Sequence, residues 1–326
     1  MLVQRYATLA LFIFSVLANA LTLGPRSKSS EAEPHRWLAK RGELKRIVIV
    51  GGSVGEDSHA HCTPHQVRRI DEDIAWMRKL AASAYNFLLE EDSHTTAAYI
   101  AWFGANNADR KTADAIRREV YDAIWDLGDD TDAYVAELEG YSGAVVLGCP
   151  DTTTEPLCEN AVAVANRPGN FARLCPLYFQ QSFDYEEQFR SWRMSRTRSL
   201  TGAETLLHEM THLPGVVGSW NTDDIAYEKD KCLLLRDAEM INNADNYMLF
   251  ALEVRANPDN AAKQVDMKAE EAKYKIARRL LAEGSSPPVE APAGGPFGYP
   301  GMWIANQYVA GHFPPYGYSD WPPPWC

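Results

Sequence analysis

Apolar and polar positions change period several times along the chain, and each period predicts a different element. Tyr6 to Leu17 is almost unbroken apolar sequence behind a single positive charge, Arg5. Ile47-Val48-Ile49-Val50 running into Gly51-Gly52 predicts a short strand that ends in a turn. From Pro64, the residues Val67, Ile70, Ile74, Met77, Leu80, Ala81, Tyr85 and Leu88 recur at steps of three and four, the spacing of one buried helix face. Ala113 to Leu127 repeats that pattern with Ile116, Val120, Ile124 and Leu127. Ala144-Val145-Val146-Leu147 predicts a buried strand, and helices are expected over 203–212, 233–255 and 261–282. Both long stripes are read as core packing. Helices outnumber strands, so the expected fold class is α+β: one mostly helical domain over 42–283 with a few short strands.

The two ends of the chain differ from this middle. The apolar run after Arg5 stops at Ala18-Asn19-Ala20, small residues where signal peptidase cuts, so 1–20 is expected to be a secretory signal peptide. Residues 21–41 are polar and aperiodic, end in the dibasic pair Lys40-Arg41, and are expected to be a propeptide. From 284 to 326 prolines alternate with glycines and with aromatics such as Trp303, Tyr316 and Trp325, which forbids regular helix or central strand and predicts an extended tail. No other stretch reaches the length of about 20 apolar residues that a membrane span needs, so no transmembrane anchor is expected.

Charge narrows the partners. The chain holds 32 Lys and Arg against 44 Asp and Glu, a net charge of −12. Loss of 1–41 would remove six basic and two acidic residues and leave 26 against 42, a net charge of −16. Nucleic-acid binding needs a concentrated basic face and is excluded as an expectation. Six cysteines in an exported chain suit disulfides. The protein is therefore expected to be secreted, extracellular and monomeric.

His208-Glu209-Met210-Thr211-His212 carries the chemistry. On a helix, positions i and i+4 share a face, so both imidazoles can reach one metal ion. Glu209 leaves the helix beside that ion, where it can take a proton from water and hand it to a leaving amine. Zinc suits the set because it binds neutral imidazole and keeps a coordination position open. Leu206 and Leu207 are expected to hold this helix in the core. His59, His61 and His65 lack a carboxylate or repeated Cys spacing and are read as loop histidines. A catalytic zinc needs a third protein ligand, and Asp223 and Asp224 are the nearest candidates.

Here the sequence resembles the deuterolysin-type aspzincin metalloendopeptidases, which include the fungal peptidyl-Lys metalloendopeptidases. Their HExxH is followed by Gly-Thr-x-x-Asp-x-x-Tyr-Gly, and Thr222, Asp224 and Tyr227 match. The resemblance spans roughly residues 60–255 and implies a zincin-like fold and one Zn2+ held by His208, His212 and Asp224. It also implies Glu209 as general base, Tyr227 as hydrogen-bond donor to the oxyanion, and protein or peptide substrates. Asn243-Ala244-Asp245-Asn246-Tyr247 resembles a family stretch near the S1′ pocket, which makes Asp245 the candidate for recognising Lys or another basic residue at P1′. Family spacing implies disulfides Cys62–Cys149 and Cys158–Cys175, leaving Cys232 and Cys326 to pair and pin the tail.

Two positions depart from the family: Asn221 and Glu228 stand where it has Gly. Leu213 to Trp220 and the Cys loop are also similar to a related fungal group of secreted zinc-binding antigens, which implies zinc scavenging without catalysis as the alternative. Those proteins commonly carry Arg in place of Glu209, so that residue separates the two readings.

Overall fold

The computed structural model describes residues 46–141 and 143–266. The expected signal peptide, the expected propeptide, the 284–326 tail and Cys326 lie outside the described residues. A five-stranded sheet in the order β2-β1-β3-β5-β4 forms one layer. Its strands are β1 (Arg46–Val50), β2 (Gly128–Val135), β3 (Val145–Gly148), β4 (Ala163–Asn166) and β5 (Phe171–Leu174). All neighbours are parallel except β4, which pairs antiparallel with β5 and so ends the sheet. Along β1 the pleat sends Ile47 and Ile49 into the helical core and Val48 and Val50 into a smaller cluster with Leu138, Ala144 and Phe171. Both faces of the strand are thus buried, which is why it reads as a continuous apolar run.

The helical layer contains α1 (Pro64–Leu89), α2 (Ala97–Phe103), α3, α4 (Tyr185–Ser195), α5 (Gly202–His212) and α6 (Ala244–Ala256). Helix α3 runs Arg110–Ala115, passes through a π turn at Ile116–Tyr121 and finishes at Asp122–Trp125. Helix α1 starts on a capping box in which the Thr63 hydroxyl accepts from the Gln66 amide and Gln66 accepts from the Thr63 amide. It packs on both α5 and α6. Tyr99, Phe103, Tyr121, Tyr247 and Phe250 interlock between α2, α3 and α6, and the Tyr121 hydroxyl donates to the Tyr247 carbonyl at 2.8 Å. This brace sits behind the site and fixes α6.

Disulfides Cys62–Cys149 and Cys158–Cys175 form as the family resemblance implied, and Cys232 is a buried thiol. Three expectations are corrected. Strands β2, β4 and β5 and helices α2 and α4 had no place in the sequence reading. The helix expected over 233–255 is broken: a single turn at Asp237–Met240 precedes α6, and between them Asn243 is extended at φ −103°. Its amide side chain grips a segment from earlier in the chain, accepting from the Ile225 and Ala226 amides and donating to the Ala226 carbonyl, each at 2.9 Å, and the Ala244 amide donates to the Asp223 carbonyl at 3.1 Å. The helix expected over 261–282 is absent at 262–266, where Ala97 donates to the Lys263 carbonyl and Val265 to the Thr95 carbonyl. Its remainder lies outside the described residues.

Candidate active site

Helix α5 carries the HExxH motif, and its eleven residues are all buried. It begins on a second capping box: the Thr201 hydroxyl accepts from the Glu204 amide at 3.4 Å and the Glu204 carboxylate accepts from the Thr201 amide at 2.8 Å. Gly202 is required there by close approach, since a Cβ would fall 2.0 Å from Asp73 Oδ2. The helix ends at Leu213, the residue before Pro214, where the proline ring disfavours helical backbone.

Next comes the segment that returns Asp224 to this helix. The Thr222 amide donates to the Thr211 carbonyl at 3.0 Å, and the two threonine hydroxyls meet at 2.7 Å. On the other side the Asp223 amide donates to the Asn242 carbonyl at 2.7 Å, and Asn243 grips Ile225 and Ala226. Asp224 is thereby held between α5 and the start of α6. Asp223, the other candidate, turns away to Arg167.

The tautomers of both histidines follow from their acceptors. His208 Nδ1 lies 2.8 Å from Asp245 Oδ1, and His212 Nδ1 lies 3.0 Å from the Thr222 carbonyl. A carboxylate and a carbonyl only accept, so both Nδ1 atoms are the donors, and each ring in its neutral form turns an Nε2 lone pair toward Asp224. Those Nε2 atoms are 3.1 Å apart, and each is 3.0 or 3.1 Å from Asp224 Oδ1. Three such atoms so close need a proton or a metal cation between them, and neutral imidazoles leave the place to a metal. Their separations approach the edge of about 3.3 Å expected for a tetrahedron with 2.0–2.1 Å bonds, so the donor set fits a zinc ion.

A cavity of about 610 Å³ opens on this triad, with Glu209, Tyr227 and residues of β4 on its walls. Burial raises the Glu209 carboxyl above the ordinary carboxylate range, while the neighbouring imidazoles and a hydrogen bond from the Ala165 amide pull it down. Tyr227 stacks on His208 with ring centroids 6.0 Å apart. Asp245 is buried, and the structure brings it to the site as the partner of His208. Its second oxygen accepts from the Glu228 amide at 3.2 Å and faces the Arg198 guanidinium at 3.5 Å. Burial works to raise the Asp245 carboxyl, but Arg198 and then His208 hold it below its ordinary value.

The two departures from the family pattern have different consequences. Asn221 sits at φ −63°, which any residue adopts. Glu228 sits at φ 66° and ψ 144°, a region that belongs almost entirely to glycine, so its backbone is strained beside the site. The sequence reading missed Asn243 as the clamp on the Asp224 segment and Arg198 as the neighbour of Asp245. An Asn at the N-cap of α6 was the available signal for the first; a lone arginine in a loop gave none for the second.

Comparison with known proteins adds the family. The family model described as lysine-specific metallo-endopeptidase (Aspzincin_M35) matches residues 88–252. A neutral protease 2 homolog of Aspergillus terreus is 33% identical over 117 residues, covering 36% of this chain and 30% of that protein. A neutral protease 2 homolog of Blastomyces gilchristii is 26% identical over 235 residues, covering 70% and 52%. The chain thus spans about half, or less, of the length of the curated relatives it matches. A zinc peptidase from Grifola frondosa superposes with a TM-score of 0.42 at 16% identity, covering 60% of this chain and 99% of that one. The matched half holds the HExxH helix, the Asp224 segment and Asp245, and this chain belongs to the zinc-dependent aspzincin family of metallo-endopeptidases.

Proposed function

We propose that the protein is a secreted zinc endopeptidase in which His208, His212 and Asp224 hold one Zn2+. The observation that carries this reading is the convergence of two Nε2 atoms and one carboxylate oxygen within 3.1 Å of each other, beside the Glu209 carboxylate. Zinc bound there supplies a Lewis acid for the scissile carbonyl and lowers the pKa of water to about 7. Glu209 takes the proton of the attacking water and delivers it to the leaving amine. Tyr227, on the cavity wall over His208, donates its hydroxyl to the oxyanion. Strand β4 ends the sheet, and Ala163, Val164 and Ala165 of that strand line the cavity, so an extended peptide can add to it as a further strand.

Asp245 acts here as a positioning residue. Its hydrogen bond fixes the His208 ring and makes Nε2 the better ligand. Two disulfides suit an oxidising compartment, and no helix among the described residues is long and apolar enough to cross a membrane. Digestion of denatured casein by the purified protein tests the function. Internal cleavage that stops with a chelator and returns with zinc is expected. A protein that binds one zinc and leaves casein intact would instead be the non-catalytic zinc scavenger.

A further inference from the structure

Arg198 lies on the connection between α4 and α5 and lines the same cavity as His208, Glu209 and Asp224. Its side chain is 19% exposed, against 4% for its neighbour Asp245. Nη1 is 3.5 Å from Asp245 Oδ2, long for an N–H···O bond, and 3.8 Å from Met248 Sδ, a weak acceptor. Among the described residues, Nε and Nη2 have no hydrogen-bond partner. The nearby carboxylates also serve other donors, so neither engages the whole fork. Asp245 serves His208 and the Glu228 amide, and Glu204 serves Thr201 and Gln188. The guanidinium is therefore a partly buried cation on the cavity wall, paired with Asp245 on one side and with donors to spare.

We infer that Arg198 sets the side-chain preference of this site, selecting peptides that carry a carboxylate beside the scissile bond and rejecting those that carry an ammonium there. The inference rests on the peptidase reading above. A substrate lysine seeking Asp245 would meet the Arg198 charge in the same small space, while a carboxylate finds the planar fork that binds it bidentately. This reverses the basic preference expected from Asp245 in the sequence, because the chain already supplies its own cation to that acid.

The test compares matched peptides bearing Glu, Gln or Lys next to the cleaved bond, all C-terminally amidated, and a Gln peptide with a free C-terminal carboxylate. The wild type is expected to favour Glu over Lys by roughly 10- to 100-fold in kcat/KM, the range of one charged hydrogen bond. Arg198→Gln should bring Lys level with Glu or ahead of it. Preference for the free-carboxylate peptide over its amide would make the terminal carboxylate the source, and preference for Glu in the amidated series the side chain. Calorimetric binding of the same peptides to zinc-loaded Glu209→Gln, with and without Arg198→Gln, separates the two readings. Selective binding of the carboxylate peptides without wild-type hydrolysis would sink the peptidase and leave this inference standing. Wild-type hydrolysis that favours Lys, or a Glu-to-Lys ratio unmoved by Arg198→Gln, would overturn the inference and leave the peptidase. If Arg198→Gln does not fold, Arg198→Lys keeps the charge without the fork. It should lower the Glu preference while Lys stays rejected, and an unchanged preference for Glu would count against Arg198.

Discussion

Helix α5 meets a carboxylate at each end, and the molecule treats the two in opposite ways. At its N-terminus Asp73 is enclosed. Tyr178 donates to Oδ2 at 2.6 Å, Arg69 Nε donates to the same oxygen at 2.7 Å, and Tyr185 donates to Oδ1. Arg69 in turn donates to the Gln181 and Ser182 carbonyls and lies over the Phe183 ring. Burial raises the Asp73 carboxyl, and these donors pull against it. At the C-terminus Asp224 is 41% exposed, shares one oxygen between two imidazole lone pairs, and opens on a cavity. A buried acid with donors on both oxygens stabilises a fold. An acid that converges with two imidazoles on a cavity offers a donor set that a cation from outside can occupy, and that opening marks the site.

Three substitutions would break or sharpen this contrast. The largest effect is expected at the closed end. Asp73→Ala leaves Arg69 buried without its carboxylate and should cost about 3–5 kcal/mol of stability. The zinc content and the turnover of the molecules that remain folded should be unchanged. Denaturant melts paired with metal analysis check this, and lost zinc at full stability would erase the distinction between the two ends. At the open end, Asp245→Asn keeps a hydrogen-bond acceptor for His208 and removes its charge. It should lower zinc affinity or kcat by roughly 10- to 100-fold, as partners of metal-binding histidines do. Competition with a chelating dye measures it. The smallest effect is expected from Glu228→Gly, which relieves positive-φ strain worth about 1–3 kcal/mol, less the roughly 0.5–1 kcal/mol by which glycine favours the unfolded chain. A higher melting temperature is expected, and a lower one would show that Glu228 contributes contacts outweighing its strain.

Much of this was legible before the structure, and the parts that were not share a cause. The i, i+4 spacing of His208 and His212 needs only one turn of helix. The stripe from Val67 to Leu88 needs only a period, and both formed. Asp224 and Asp223 look alike along the chain; what separates them is Arg167, 56 residues away, which takes Asp223. Apolar periodicity runs across 233–255 without a Gly or Pro to mark the break. The break exists because Asn243 bonds to residues 17 and 18 positions earlier. Strands β4 and β5 are four residues each and stand only by pairing with each other and with β3. Arg198 meets Asp245 across 47 residues. Local spacing is written in the sequence, whereas the acceptors that choose a tautomer, a ligand or a helix end arrive from elsewhere in the chain.

The central claim is that the triad holds zinc so that Glu209 can act on water. The most direct measurement is kcat/KM and bound zinc for wild type and Glu209→Gln at neutral pH. The account predicts one zinc per molecule in both and a fall in kcat/KM of at least about 10²-fold in the variant, the least a lost general base should cost. Equal rates in two proteins that both hold zinc would contradict it.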